Sequence, residues 1–132
     1  VKLLMKKLYH LQDDRKTIDE MQRGMKSKDK LIGLKNTHGL FGSDKWWKAI
    51  SKNKLQLFTL SGIITKTWSG HHNDFPEFQL TDENGEVTTW PMESMNLHNN
   101  LGSKIEIDYV IQSLKASNYE NGEAKCVIEV RC

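Results

Sequence analysis

Apolar residues near the start of the chain recur at Leu4, Leu8, Leu11, Ile18, Met21 and Met25. This is the spacing of an amphipathic helix, with a polar gap from Asp13 to Lys16. One or two helices are predicted between Leu3 and about Lys26. Leu4, Leu11, Ile18, Met25 and Ile32 also keep a seven-residue interval. Their companion positions Lys7, Asp14, Met21 and Lys28 are mostly charged, which favours packing on a neighbour over a two-stranded coiled coil. Gly24 and the polar stretch from Lys26 to Lys30 weaken the helix, and Asn36-Thr37-His38-Gly39 followed by Gly42 marks a loop. Next, Ser43 is a suitable N-cap, Asp44 suits the positive end of a helix, and Trp46, Trp47 and Ile50 supply an apolar face. A short helix is expected there. Adjacent tryptophans point about 100° apart on a helix, which puts one in a core and the other at its rim.

From Leu55 the period changes to two. Phe58, Leu60, Gly62 and Ile64 share one face of a long strand that ends near Trp68 and bends at Gly62. After the loop from Ser69 to Asp74, Phe78, Leu80 and Asp82 alternate with Glu77, Gln79 and Thr81 in a second strand. Glu83-Asn84-Gly85 is a tight-turn signal, because Asn and Gly tolerate positive φ, and the pattern resumes through Trp90 as the far side of a hairpin. Pro91 closes that strand, since it has no amide hydrogen for a ladder. Met92 to Gly102 lacks the alternation and is expected to hold a short helix. The fourth strand has the cleanest alternation, with Ile105, Ile107, Tyr109 and Ile111 on one face and Glu106 and Asp108 on the other. A fifth turns Cys126, Ile128 and Val130 inward and Val127 and Glu129 outward.

A length of 132 residues suits one domain, and 37% apolar with 27% charged residues means a modest core under a wet surface. Runs such as Leu3-Leu4-Met5 and Val127-Ile128 fall far short of the roughly 18 residues of a membrane-spanning helix. The opening segment lacks the apolar stretch of a signal peptide, and the start at Val1 leaves room for an upstream segment. Cys126 and Cys132 on one extended strand would lie roughly 20 Å apart, too far to bridge, and no CxxC spacing exists. A reducing compartment, the cytoplasm, is expected. Cut at Lys54, the chain divides into a basic helical segment, residues 1–54 at +8, and an acidic β domain, residues 55–132 at −6. The basic segment either packs on its own acidic domain or seeks an acidic partner.

The predicted fold is α+β, mainly β: N-terminal helices followed by a five-stranded antiparallel barrel. From Leu57 to Arg131 the element order resembles the OB-fold, a partly open Greek-key barrel. Three segments also resemble a group of uncharacterised bacterial proteins. They are Trp46-Trp47-Lys48-Ala49-Ile50 as WWxxI, Gly62-Ile63-Ile64 as GxI, and Asp74-Phe75-Pro76-Glu77-Phe78 as DxPxF. Neither resemblance implies an activity.

Candidate ligand contacts gather near one end of the barrel: Trp68, His71, His72, Asp74, Trp90 and Tyr119. Two adjacent histidines rarely reach one ion together, so neither a metal nor a cofactor is expected. The OB resemblance suggests single-stranded nucleic acid stacked on aromatics. Against it, strands two and three carry Glu77, Asp82, Glu83 and Glu86 with no Lys or Arg, which repels phosphates. Any such contact would lie instead at Lys45, Trp47, Lys48, Lys52 and Lys54. Without HExxH, GxSxG or comparable spacing, an enzyme is the least supported class. The leading expectation is a non-catalytic module that binds another protein, with Leu4, Leu8 and Leu11 on its docking helix. Single-stranded nucleic-acid binding is the alternative.

Overall fold

A computed structural model describes residues 5–69, 75–116 and 122–132. The fold is α+β and mainly β, as expected. Six strands, β1 (Lys7–His10), β2 (Leu57–Trp68), β3 (Glu77–Thr81), β4 (Val87–Pro91), β5 (Lys104–Ser113) and β6 (Glu123–Arg131), accompany two helices, α1 (Arg15–Lys26) and α2 (Asp44–Ser51). The strands form one sheet in the order β1-β6-β5-β2-β3-β4. No helix among the described residues is long and apolar enough to cross a membrane.

The extra strand comes from a segment expected to be helical. Lys6 N–H donates to the Cys132 carbonyl at 2.7 Å and Cys132 N–H returns to Lys6 at 2.8 Å, the reciprocal exchange of an antiparallel pair. The free edge of β6 is thereby occupied by β1, so β4 does not return to it. A six-stranded sheet edged by β1 and β4 replaces the expected five-stranded ring. The polar gap at Asp13 to Lys16 is a helix start. After a 3-10 turn over Leu11–Asp13, the Asp14 carboxylate accepts from Thr17 N–H at 3.1 Å and caps α1. Leu4 lies outside the described residues, and Leu8 belongs to a strand, so the expected docking helix is not formed.

The chain folds as two compact units, each drawing on residues from both sides of Lys54. The first comprises Val1–Tyr9, Thr59–Ile107 and Glu129–Cys132, and the second His10–Phe58 and Asp108–Ile128. In the first, Ile64, Phe78, Leu80, Trp90, Ile105 and Ile107 are core residues. Gly62 is set in β2 where a Cβ would stand 2.7 Å from the Thr81 carbonyl oxygen, so a side chain there would push β3 away. The pairing of β2 with β3 shifts register between Ile64 and Lys66, which is the irregularity of a bent strand. The β3–β4 turn is governed by Asp82, whose carboxylate accepts from the N–H groups of Asn84 and Glu86, both at 2.9 Å. Only Gly85 takes positive φ, at +80°. Asn84 does not; its N–H donates to the Asp82 carboxylate. Met92 to Gly102 is a series of turns with no helix. Glu93 sits at φ +53°, and Met95, Asn100 and Ser103 each donate back three residues.

In the second unit, α1 buries Ile18 and Met25, and α2 buries Trp46 and Ala49. Ser43 accepts from Trp46 N–H at 3.4 Å as the expected cap. The α1 carbonyl of Gly24 and that of Ser27 both accept from Lys115 Nζ at 2.9 Å, so a cation satisfies the helix C-terminus. Along β5 the buried positions change from odd, Ile105 and Ile107, to even, Val110 and Gln112. The uniform odd face expected through Ile111 therefore ends at Tyr109. Val127, expected outward, is buried in the second unit beside Cys126 and Ile128.

Gly62→Ala should destabilise the protein by about 2–3 kcal/mol through overpacking against β3. Gly85→Ala, with nothing within 4 Å, should cost only about 1 kcal/mol for its left-handed backbone. Urea midpoints measured for both variants check the order. A Gly62→Ala midpoint equal to that of Gly85→Ala would contradict the close crossing.

Candidate functional site

Among the described residues, β2, β3 and β4 share an outer face that keeps apolar side chains exposed. Register fixes its rows. Ile63 pairs with Thr81 and Thr81 with Val87; Lys66 pairs with Gln79 and Gln79 with Thr89; Trp68 pairs with Glu77 and Glu77 with Pro91. These residues alternate with the inward Ile64, Phe78, Leu80 and Trp90. Ile63 keeps 46% and Val87 51% of their surface exposed, and Phe75, just before β3, keeps 81%. A polar ladder stiffens the face: Thr65 Oγ1 lies 2.9 Å from Thr81 Oγ1 and accepts from Gln79 Nε2 at 2.9 Å. The Lys66 ammonium stands 4.8 Å from the Trp68 ring centroid, a cation–π contact.

Charge is unevenly spread over the same unit. Towards β5 and β6, Glu106 accepts from Ser61 Oγ at 3.4 Å and meets Arg131 at 3.7 Å. Arg131 also pairs with Glu129, which lies 3.4 Å from Lys7. These acids have basic neighbours. The β3–β4 hairpin has none of its own: it carries Glu77, Asp82, Glu83 and Glu86 without a Lys or Arg.

Of the residues singled out in the sequence, only some lie among the described residues. Trp68 is half-buried on the outer face. Trp90 is core, with Nε1–H donated to Thr88 Oγ1 at 2.8 Å. His71, His72, Asp74 and Tyr119 lie outside the described residues. Trp47 is half-buried and stacks on His10 at 6.2 Å between ring centroids. Lys45, Lys48 and Lys52 are exposed along one stripe of α2 and its cap, with Lys54 exposed just beyond. One tryptophan is core and the other rim, as expected. Trp46 is fully buried, packs on Phe41 at 4.5 Å between centroids, and donates Nε1–H to Gln112 Oε1 at 2.9 Å.

Sequence reasoning missed Ile63 and Val87. Their signal was an apolar residue on the outward phase of an alternating strand, where Thr and Lys are the rule. It also missed Leu31, 71% exposed on the second unit. Leu31 N–H donates to Asp29 Oδ1 at 2.9 Å and Ile32 N–H to Asp29 O at 3.2 Å, fixing an apolar tip among Lys28, Lys30 and Lys35. Ile32 is exposed there, so the seven-residue seam stops at Met25.

Ile63 and Val87 thus flank Thr81 in the row next to the hairpin turn, with the polar Lys66–Gln79–Thr89 row beyond it. The chain belongs to the family described as immunity protein RhsI2, whose family model matches residues 2–132. The matched span includes the WWxxI, GxI and DxPxF segments. A comparison with curated proteins gave no match.

The buried pair Trp46–Gln112 can be separated from function. Gln112 is 2% exposed and its Nε2 has no partner among the described residues. Trp46→Phe or Gln112→Leu alone should each cost about 1–3 kcal/mol by stranding the remaining polar atom. The double variant should lose less than the sum, with a coupling of about 1 kcal/mol in a urea double-mutant cycle. Simple additivity would show that the hydrogen bond contributes nothing.

Proposed function

We propose that this chain neutralises a cognate bacterial toxin by binding it, without catalysis, through the outer face of β2, β3 and β4. The observation that carries the reading is the exposed Ile63–Thr81–Val87 row in a chain of the RhsI2 immunity family. Side chains on a paired sheet lose little freedom when a partner covers them, so their apolar area contributes to affinity rather than to ordering. The bulge at Thr65 and the Lys66–Trp68 contact shape one end of the face, and Phe75 stands beside it as an exposed aromatic anchor. The acidic hairpin at the other end favours a basic partner surface and raises the encounter rate at low salt.

Replacing Ile63 and Val87 together with aspartate should weaken toxin binding by at least tenfold in calorimetry. Urea stability should stay within about 1 kcal/mol, because both side chains are half-exposed. Unchanged affinity would remove this face as the docking surface. Inhibition should also be stoichiometric: at half an equivalent of this protein about half the toxin activity remains. Toxin activity lost completely at a tenth of an equivalent would point to catalysis.

A further inference from the structure

We infer that the exposed edge of β4 accepts an extended, basic segment of the partner as an added strand of the sheet. This rests on the toxin-binding reading above and names the chemistry of the contact. Asp82 N–H donates to the Glu86 carbonyl and Met92 N–H to the Pro76 carbonyl, and the register between them is unbroken. Hydrogen-bonded pairs alternate along an antiparallel ladder. Thr88 and Trp90 therefore point their backbone groups at β3, while the N–H and C=O of Val87 and Thr89 point away from it. β4 is the last strand in the sheet order, so no strand among the described residues covers that edge.

Exposed edges are normally blunted by charge, lysine above all. The opposite edge of this sheet follows the rule, with Lys6 and Lys7 exposed on and beside β1. β4 does not: Val-Thr-Thr-Trp is uncharged, and only Pro91 limits pairing at its far end. The surroundings select the charge of the added strand. Between Lys66 and Lys104 the chain has no Lys or Arg, and the hairpin places Glu83 and Glu86 at one end of β4 and Glu93 just past the other. A segment with alternating lysines would pair its backbone with Val87 and Thr89 and its ammonium groups with these carboxylates.

The probe is a labelled ten-residue peptide alternating lysine and valine, titrated by fluorescence anisotropy into the full chain. Binding is expected at low salt and should weaken as salt rises. Methylating alternate peptide amides should abolish binding in one phase and spare it in the other. Thr89→Pro removes an N–H that β3 does not use, so the hairpin should keep its amide NMR pattern while peptide affinity falls at least tenfold. Val87→Pro serves as the second variant if Thr89→Pro does not fold. Equal binding by the glutamate–valine peptide, or by the proline variants, would overturn the inference. Calorimetry with the toxin separates the two readings. Toxin binding unaffected by Thr89→Pro overturns the edge alone, whereas no binding by the unsubstituted protein overturns the toxin reading itself.

Discussion

Along β5 the buried positions change from Ile105 and Ile107 in the first unit to Val110 and Gln112 in the second. Its odd positions Ile105 and Ile107 enter the core of the first unit, so Glu106 must face outward, where Ser61 and Arg131 meet it. Beyond Tyr109 the even positions are buried instead, and Gln112 reaches the indole of Trp46. The Gln112 carbonyl oxygen is paired by that indole, and the hydrogen bond helps to orient α2. Among the described residues, Phe78, Leu80 and Trp90 fill the inward positions of β3 and β4, and Ile63 and Val87 stay half-exposed on the other side.

An uncovered face is useful to a binding protein only if it holds its shape. Here two close constraints supply that rigidity. Gly62 lets β2 approach β3 so nearly that no side chain fits, and the Thr65–Thr81–Gln79 hydrogen bonds tie the same strands from the outside. The apolar residues displayed on this frame cannot withdraw into a core, since their phase points them away from it. If this face docks the partner, as proposed, little of its affinity is spent on ordering. The acidity of the β3–β4 hairpin, which disfavoured nucleic acid in the sequence, is the same property that suits a basic protein partner.

Much of this architecture was legible in the residues. The alternation of Phe58, Leu60, Gly62 and Ile64, the Ser43 cap and the tight turn ending at Gly85 are local, each set by side chains within a few positions. The candidate face was only half legible. Its inward complement was read, but Ile63 and Val87 declare themselves only once register brings them into one row. The histidine loop, the most conspicuous polar cluster in the sequence, lies outside the described residues.

By itself, then, the sequence determined the class of fold, five of the six strands, the short tryptophan helix and the acidity of the hairpin. These follow from periodicity, capping and charge, which act between near neighbours. Tertiary structure decided that Lys7–His10 is a strand, because the pairing beside it, Lys6 with Cys132, joins residues more than a hundred positions apart and four residues carry no decisive preference of their own. It decided that Trp46 and not Trp47 is core, since Trp46 meets Phe41 and Gln112 while Trp47 stacks on His10. It also decided the edges of the sheet: β1 caps β6 and, among the described residues, β4 is the last strand at the other end, because ladder hydrogen bonds join strands far apart in the chain.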